Sequence, residues 1–155
     1  MSVEIHYLKR GEANHQLLGH CQAIRRRVFV EGQGVAEAID FDGNDDSSSH
    51  LLLLHEGNPV GTLRIRKTEK GMKLERIAVL PAFRGRGYGE LLVKAGLSKV
   101  EGSIYINAQV SSMGFYEHVG FVVEDGTIFD EAGIDHTVMI WPHGRGSEPC
   151  AIVEQ

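Results

Sequence analysis

Cysteine, proline and tryptophan are scarce: two, four and one respectively in 155 residues. Two cysteines cannot staple a fold, and these two sit far apart. Cys21 falls on the apolar face of an expected helix and Cys150 in a polar terminal stretch, so no disulfide is expected and a reducing compartment fits. Long apolar runs are missing too. No uninterrupted one is longer than Leu51 to Leu54, far short of a membrane span. The opening Met-Ser-Val-Glu-Ile-His lacks the basic-then-apolar layout of a secretory leader. A cytoplasmic location and no membrane partner are therefore expected. Positive charge is in the minority, with 16 Lys and Arg against 21 Asp and Glu and a formal net charge of −5. That excludes a general nucleic-acid binder, and any anion site must be local.

What is present suits one domain with a real hydrophobic core. Val3 to Leu8 reads as a strand. From Asn14, Leu17, Leu18, Cys21, Ile24 and Val28 recur at helical spacing, with Arg25, Arg26 and Arg27 near the C-terminal end, where the helix dipole favours cations. Residues 31–49, rich in Gly, Asp and Ser, read as a long solvated loop interrupted by at most one helical turn. Leu51 to His55 is a centrally buried strand. In "GTLRIRK", Gly61, Leu63 and Ile65 alternate with Thr62, Arg64 and Arg66, which predicts one buried and one wet face. Glu69, Lys70 and Gly71 turn the chain into a returning strand, Met72 to Leu80. Along that strand Met72 and Leu74 are in phase, whereas Ile77 and Val79 are one residue out of step. The slip predicts a β-bulge between Glu75 and Ala78. A helix from about Gly87 to Val100, a strand from Ser103 to Ala108, a short helix opened at Ser111 or Ser112 and closed by Gly120, and strands at 121–124 and 137–141 complete the chain. The fold class is α/β (α+β): a mixed, mostly antiparallel sheet of six to seven strands with flanking helices. Residues 1–142 form the domain, and 143–155 form a polar tail that is expected to be mobile.

The segment "AVLPAFRGRGYGELLV" carries the chemistry. A Gly-rich turn between a strand and a helix exposes the helix's free N–H groups and partial positive charge, and Arg84 and Arg86 add charge-assisted hydrogen bonds to an anion. It is no P-loop, because no Gly-Lys-Ser/Thr follows, and no dinucleotide fingerprint, because Glu90 stands where the third glycine is required. The acidic "DFDGNDDSSSHL" has Asp45 and Leu51 where a calcium loop needs Gly and Glu, and no histidine spacing suits zinc, so no metal is expected.

The pattern R-x-x-G-x-G at Arg84, Gly87 and Gly89, with "RIAVLPAF" before and "ELLV" after, resembles the coenzyme A pyrophosphate motif of the GNAT N-acetyltransferase superfamily. "NAQVSSMGFYEHVGF", residues 107–121, looks like that family's strand-helix segment, and "RRRVFVEGQG" and "GIDHTVMI" look most like its ElaA-like branch. The resemblance covers about Val3 to Trp141. It implies an acetyl-CoA-dependent N-acetyltransferase in which acetyl-CoA is the co-substrate and the partner is a small-molecule or peptide amine, with direct attack in a ternary complex. Oligomeric state stays open between monomer and homodimer.

By the same resemblance, Ile77, Ala78 and Val79 hold the pantetheine arm and the oxyanion through their backbone. Arg84, Gly85, Arg86, Gly87, Tyr88 and Gly89 take the pyrophosphate, and Asn107 is a side-chain partner that could equally cap a turn. Tyr116 is the acid that protonates the departing thiolate, against a structural reading in which it only supports the core. Glu75, ahead of the bulge, is the candidate base. His136, whose residue type changes charge near neutrality, is its rival and with Phe29 lines the acceptor side. Glu31, Asp40, Asp42 and Asp135 are candidate attractors of a cationic amine. The competing function is a non-catalytic acyl-CoA sensor on the same fold.

Overall fold

The structure, a computed structural model, describes residues 2–12, 14–144 and 152–154. The chain begins with β1 (Val3–Leu8), α1 (His15–Arg25), a π-helical turn (Arg26–Glu31) and the single-turn α2 (Glu37–Asp40). Three antiparallel strands follow, β2 (Ser49–His55), β3 (Asn58–Lys67) and β4 (Met72–Val79). A 3₁₀ turn (Pro81–Phe83) leads into α3 (Tyr88–Leu97), β5 (Ile104–Gln109) and α4 (Met113–Val119). The chain then forms β6 (Val122–Val123), β7 (Phe129–Glu131), β8 (Ile134–Ile140) and β9 (Ile152–Glu154). One nine-stranded sheet results, in the order β6-β8-β5-β4-β3-β2-β1-β9, with β7 pairing to β8 off that path. All pairings are antiparallel except β4–β5 and β1–β9. The mixed, mostly antiparallel sheet expected from the sequence is present, enlarged by β7 and β9.

The period-2 alternation of β2 sorts its leucines between two helical layers. Leu51 and Leu53 pack with Leu92 and Val93 of α3, and Leu52 packs with Leu18, Cys21 and Ile24 of α1. α1 is opened by Asn14, whose Oδ1 accepts from the N–H groups of Gln16 and Leu17. At the end of α4, Gly120 takes φ +128°, and a Cβ there would lie 2.9 Å from the Trp141 ring.

The bulge lies where the phase slip places it. Arg64 pairs with Glu75 and Thr62 with Ala78, so Leu63 opposes two residues, Arg76 and Ile77. Arg76 takes φ +51°, a conformation non-glycine residues adopt at a cost of about 1–3 kcal/mol and that clusters at functional sites. The consequence is visible in the packing. Leu74, Ile77 and Val79 all meet the α3 layer, while Ala78 turns to α1.

Three expectations need correction. The "wet" face of β3 is buried: Thr62 is 1% exposed and Arg64 0%. The loop at 31–49 is exposed along most of its length, as expected, but it is pinned to the body at Asp40 and Ser48, each 1% exposed. Arg64 and Asp40 are buried in an arginine–carboxylate network described below, whereas the Thr62 hydroxyl donates to the Leu51 carbonyl and that of Ser48 to the Asn44 carbonyl. In the polar tail, 152–154 form β9 against β1 rather than a mobile end. Cys150 lies outside the described residues.

Candidate active site

The ladder between β4 and β5 ends at Lys73 and Tyr105, although β4 runs on to Val79 and β5 to Gln109. The two strands part, and a cavity of about 420 Å³ opens between them. Its walls include Glu75, Ile77, Ala78 and Val79 of β4, Asn107 of β5 and Tyr116 of α4. Phe29 and His136 line it as well, so these sequence candidates converge on one space. Where strands separate, alternate backbone groups lose their ladder partners and are left to bind whatever enters. The sharp turn at the bulge adds to this irregular edge.

At the C-terminal end of β4 the chain enters the Gly-Arg turn. Gly85 and Gly87 take φ +78° and +82°, and an added Cβ at either would meet nothing within 4 Å. Glycine is needed there for its left-handed backbone rather than to relieve crowding within the protein. Gly87 is the N-cap of α3 and has no side chain to cap the helix, so the first N–H groups have no side-chain acceptor. Gly89 lies under Phe115, with a hypothetical Cβ 3.4 Å from its ring. Arg86 sits over the Phe83 ring at 5.1 Å, and Arg84 Nε donates to the Val79 carbonyl at 3.0 Å. An uncapped helix start preceded by two arginines fits the diphosphate of a coenzyme A. Tyr88 differs from expectation in its side chain, which turns into the core and meets His55 Nδ1 at 2.6 Å. Only its backbone remains for an anion.

Tyr116 is 9% exposed and packs edge-on against Phe115 and Phe121. Burial pushes its phenol well above the ordinary tyrosine range, so it keeps its proton at neutral pH. No hydrogen-bond partner for its hydroxyl occurs among the described residues, and the side chain borders the cavity.

The opposite wall comes from the β7–β8 hairpin. His136 Nδ1 lies 2.7 Å from the Ile134 carbonyl, which can only accept. Nδ1 therefore carries the hydrogen, and in the neutral ring Nε2 keeps the lone pair. Glu131 stands beside that nitrogen at 3.5 Å and accepts from Asn107 Nδ2 at 3.3 Å. The ring of Phe129 stacks on His136.

Glu75 proves unsuited to the role of base. Arg64 contacts its carboxylate at 2.6 Å, Arg66 at 2.8 Å, Lys73 at 3.1 Å and Arg76 at 3.7 Å. Burial alone would raise its pKa, but the Arg66 hydrogen bond and the charges of Arg64, Lys73 and Arg76 outweigh burial and hold it at about 2. A carboxylate so committed is a poor proton acceptor. Asp40 and Asp42 are not free for a cationic amine either. Asp40 contacts Arg25 and Arg76, and Asp42 contacts Arg64 and Arg76. Asp45 joins Arg25 to Arg64 at 2.7 and 2.9 Å. The Arg76 Nε lies 3.0 Å from Asp40, yet its N–H makes no aligned hydrogen bond. Neither Glu31 nor Asp135 lines the cavity.

Sequence reasoning missed Arg66, Lys73, Arg76 and Glu131, all of which border the cavity. The first two were readable only as polar strand positions. Their cross-strand pairing, Arg66 opposite Lys73, would have shown that they meet. Among the described residues no group of His, Cys, Asp and Glu could hold a metal ion, and no helix is long and apolar enough to cross a membrane.

Known proteins are similar to this chain in sequence and in fold. The uncharacterized protein YyaT of Bacillus subtilis is 39% identical over 124 residues, covering 75% of this chain and 82% of that protein. The uncharacterized N-acetyltransferase YjcF of the same organism is 33% identical over 132 residues, covering 82% and 94%. The crystal structure of Escherichia coli ElaA superposes with a TM-score of 0.79 at 26% identity, covering 90% of this chain and 99% of that one. The family model described as an acetyltransferase (GNAT) domain matches residues 13–142, a span that takes in the parted strands, the Gly-Arg turn and α4. The chain belongs to the GNAT acetyltransferase family.

Proposed function

We propose that this chain is an acetyl-CoA-dependent N-acetyltransferase that acetylates a primary amine by direct attack in a ternary complex. The observation that carries the reading is the cavity between the parted β4 and β5. It is bordered by Arg84 of the Gly-Arg turn, which leads into the uncapped start of α3, and by the unpartnered Tyr116 hydroxyl.

Acetyl-CoA supplies an acyl carbon activated by a thiol leaving group. The uncapped N–H groups of α3, with Arg84 and Arg86, hold its diphosphate, and the free edge of β4 around Ile77, Ala78 and Val79 aligns its arm. In the transfer the new C–N bond forms as the C–S bond breaks, so nitrogen must lose a proton and sulfur must gain one. Tyr116 Oη carries the proton for sulfur, kept there by burial. The His136 Nε2 lone pair receives the proton from nitrogen, the ring being fixed by its Nδ1–H bond to Ile134. Glu131 faces that nitrogen and stabilises the charge it gains. Among the described residues no cysteine is a candidate nucleophile for a covalent acetyl-enzyme: burial pushes the Cys21 thiol up to about 11, and it packs on the inner face of α1 against Leu52 and Ala78 of the sheet. The activity is tested by following free thiol from acetyl-CoA against a panel of primary amines. Thiol release dependent on an amine supports the reading. Tight acetyl-CoA binding without release for any amine would favour the sensor.

A further inference from the structure

The arginine–carboxylate network beside the cavity holds more cationic donors than its carboxylates can satisfy. Five cationic groups, Arg25, Arg64, Arg66, Lys73 and Arg76, share four carboxylates, Asp40, Asp42, Asp45 and Glu75. Of these cations Arg66, Lys73 and Arg76 line the cavity, beside Asp40, Asp42 and Glu75 of the network, and what they keep there is donor capacity rather than net charge. A carboxylate offers about four lone-pair sites, and Glu75 already accepts from Arg64 Nε and from Arg66 Nε and Nη2. Lys73 has three N–H donors, is 7% exposed, and has the Glu75 oxygen at 3.1 Å as its one ionic partner among the described residues. Arg66 spends two of its nitrogens on Glu75, and Arg76 Nη1 reaches the same carboxylate only at 3.7 Å. Arg66, Lys73 and Arg76 all border the cavity. Lys73, withdrawn from water with unspent donors and flanked by the partly exposed Arg66 and Arg76, favours a further anion.

Coenzyme A's own phosphates do not account for the surplus. Lys73 and Val79 are six residues apart on β4, up to about 20 Å along a strand, so Lys73 and the Arg66 paired with it lie at the end of β4 opposite the Gly-Arg turn, with Arg76 between them at the bulge. We propose, building on the transferase reading above, that the acceptor amine also carries a compact oxyanion, a carboxylate or phosphate, that docks on Arg66, Lys73 and Arg76. The carboxylate left in the lining outside the network is Glu131, beside His136. The acceptor thus lies with its anionic group on the β3–β4 cations and its amine toward the β7–β8 hairpin.

Matched acceptors test this. Amino acids are compared with their amides, and O-phosphoethanolamine with ethanolamine, by calorimetry with CoA present and by thiol release from acetyl-CoA. The anionic member of at least one pair series is expected to bind about tenfold or more tighter. Which series shows it distinguishes carboxylate from phosphate. The preference is expected to vanish in Lys73→Met and in Arg66→Gln, and to return in Lys73→Arg. The Arg66→Gln variant guards against misfolding, since Arg66 is 28% exposed at its side chain. Equal binding within both series, or a preference that survives both variants, overturns the proposal. Selective binding of the anionic members without thiol release upholds the anion site and overturns the transferase reading instead.

Discussion

Arg64 and Glu75 face each other across β3 and β4, with a guanidinium nitrogen 2.6 Å from the carboxylate and both side chains almost wholly buried. This pair fastens the bulged strand to the acidic loop, because the other guanidinium nitrogen of Arg64 reaches Asp42 and Asp45. Removing one partner leaves buried charge uncompensated. Arg64→Met is expected to lower unfolding free energy by about 3–5 kcal/mol, read by chemical denaturation. A loss under about 1 kcal/mol would mean that the network adds little beyond packing.

The same pair makes stability depend on acid. The Glu75 pKa is depressed from 4.5 to about 2, and Asp42 is also lowered, burial opposing and the Arg64 hydrogen bond favouring its charged form. A depressed native pKa gives stability that is complete above the unfolded value and is lost as pH falls toward the native one. The contribution of these two carboxylates to the denaturation midpoint is therefore expected to hold from pH 7 to about 5 and to fall steadily from there to about 2. Glu75 contributes up to about 3 kcal/mol of that loss. In Glu75→Gln the slope should be shallower.

At the Gly-Arg turn, Arg84→Ala combined with Arg86→Ala is expected to weaken acetyl-CoA binding in calorimetry. Each lost charge-assisted bond costs about 1.5–3 kcal/mol, and added salt should weaken the parent more than the double variant. Unchanged affinity would move the diphosphate elsewhere.

Gly87 separates backbone conformation from crowding. With φ +82° and open space around a hypothetical Cβ, Gly87→Ala is expected to fold with a loss of about 1–2 kcal/mol, the cost of a left-handed alanine. Its acetyl-CoA affinity should fall, since the start of α3 shifts with that strain. Wild-type stability in the variant would show that the turn can relax.

Much of this site was legible along the chain. The phase slip between Leu74 and Ile77 located the bulge because side-chain alternation is local, and the Gly-Arg turn was legible because helix starts and left-handed glycines are local as well. The network was not. Arg25, Asp42, Arg64 and Glu75 are separated by long stretches of chain, and each alone looks like a solvated residue. Alternation reads Arg64 as wet because it counts polarity and cannot count partners. The resemblance cast Glu75 as a base from its place ahead of the bulge, and that place does not reveal the four cations that crowd its carboxylate. Glu131 and β7 escaped because a three-residue strand beside a hairpin turn leaves too short a pattern to read.

The central claim is that Tyr116 donates a proton during acetyl transfer, and Tyr116→Phe tests it most directly. The substitution keeps the ring packed against Phe115 and Phe121 and removes only a hydroxyl that has no hydrogen-bond partner among the described residues. With a productive amine, kcat should fall about 10²–10⁴-fold while acetyl-CoA affinity by calorimetry stays within about twofold. A phenylalanine variant that turns over as fast as the parent would contradict the account.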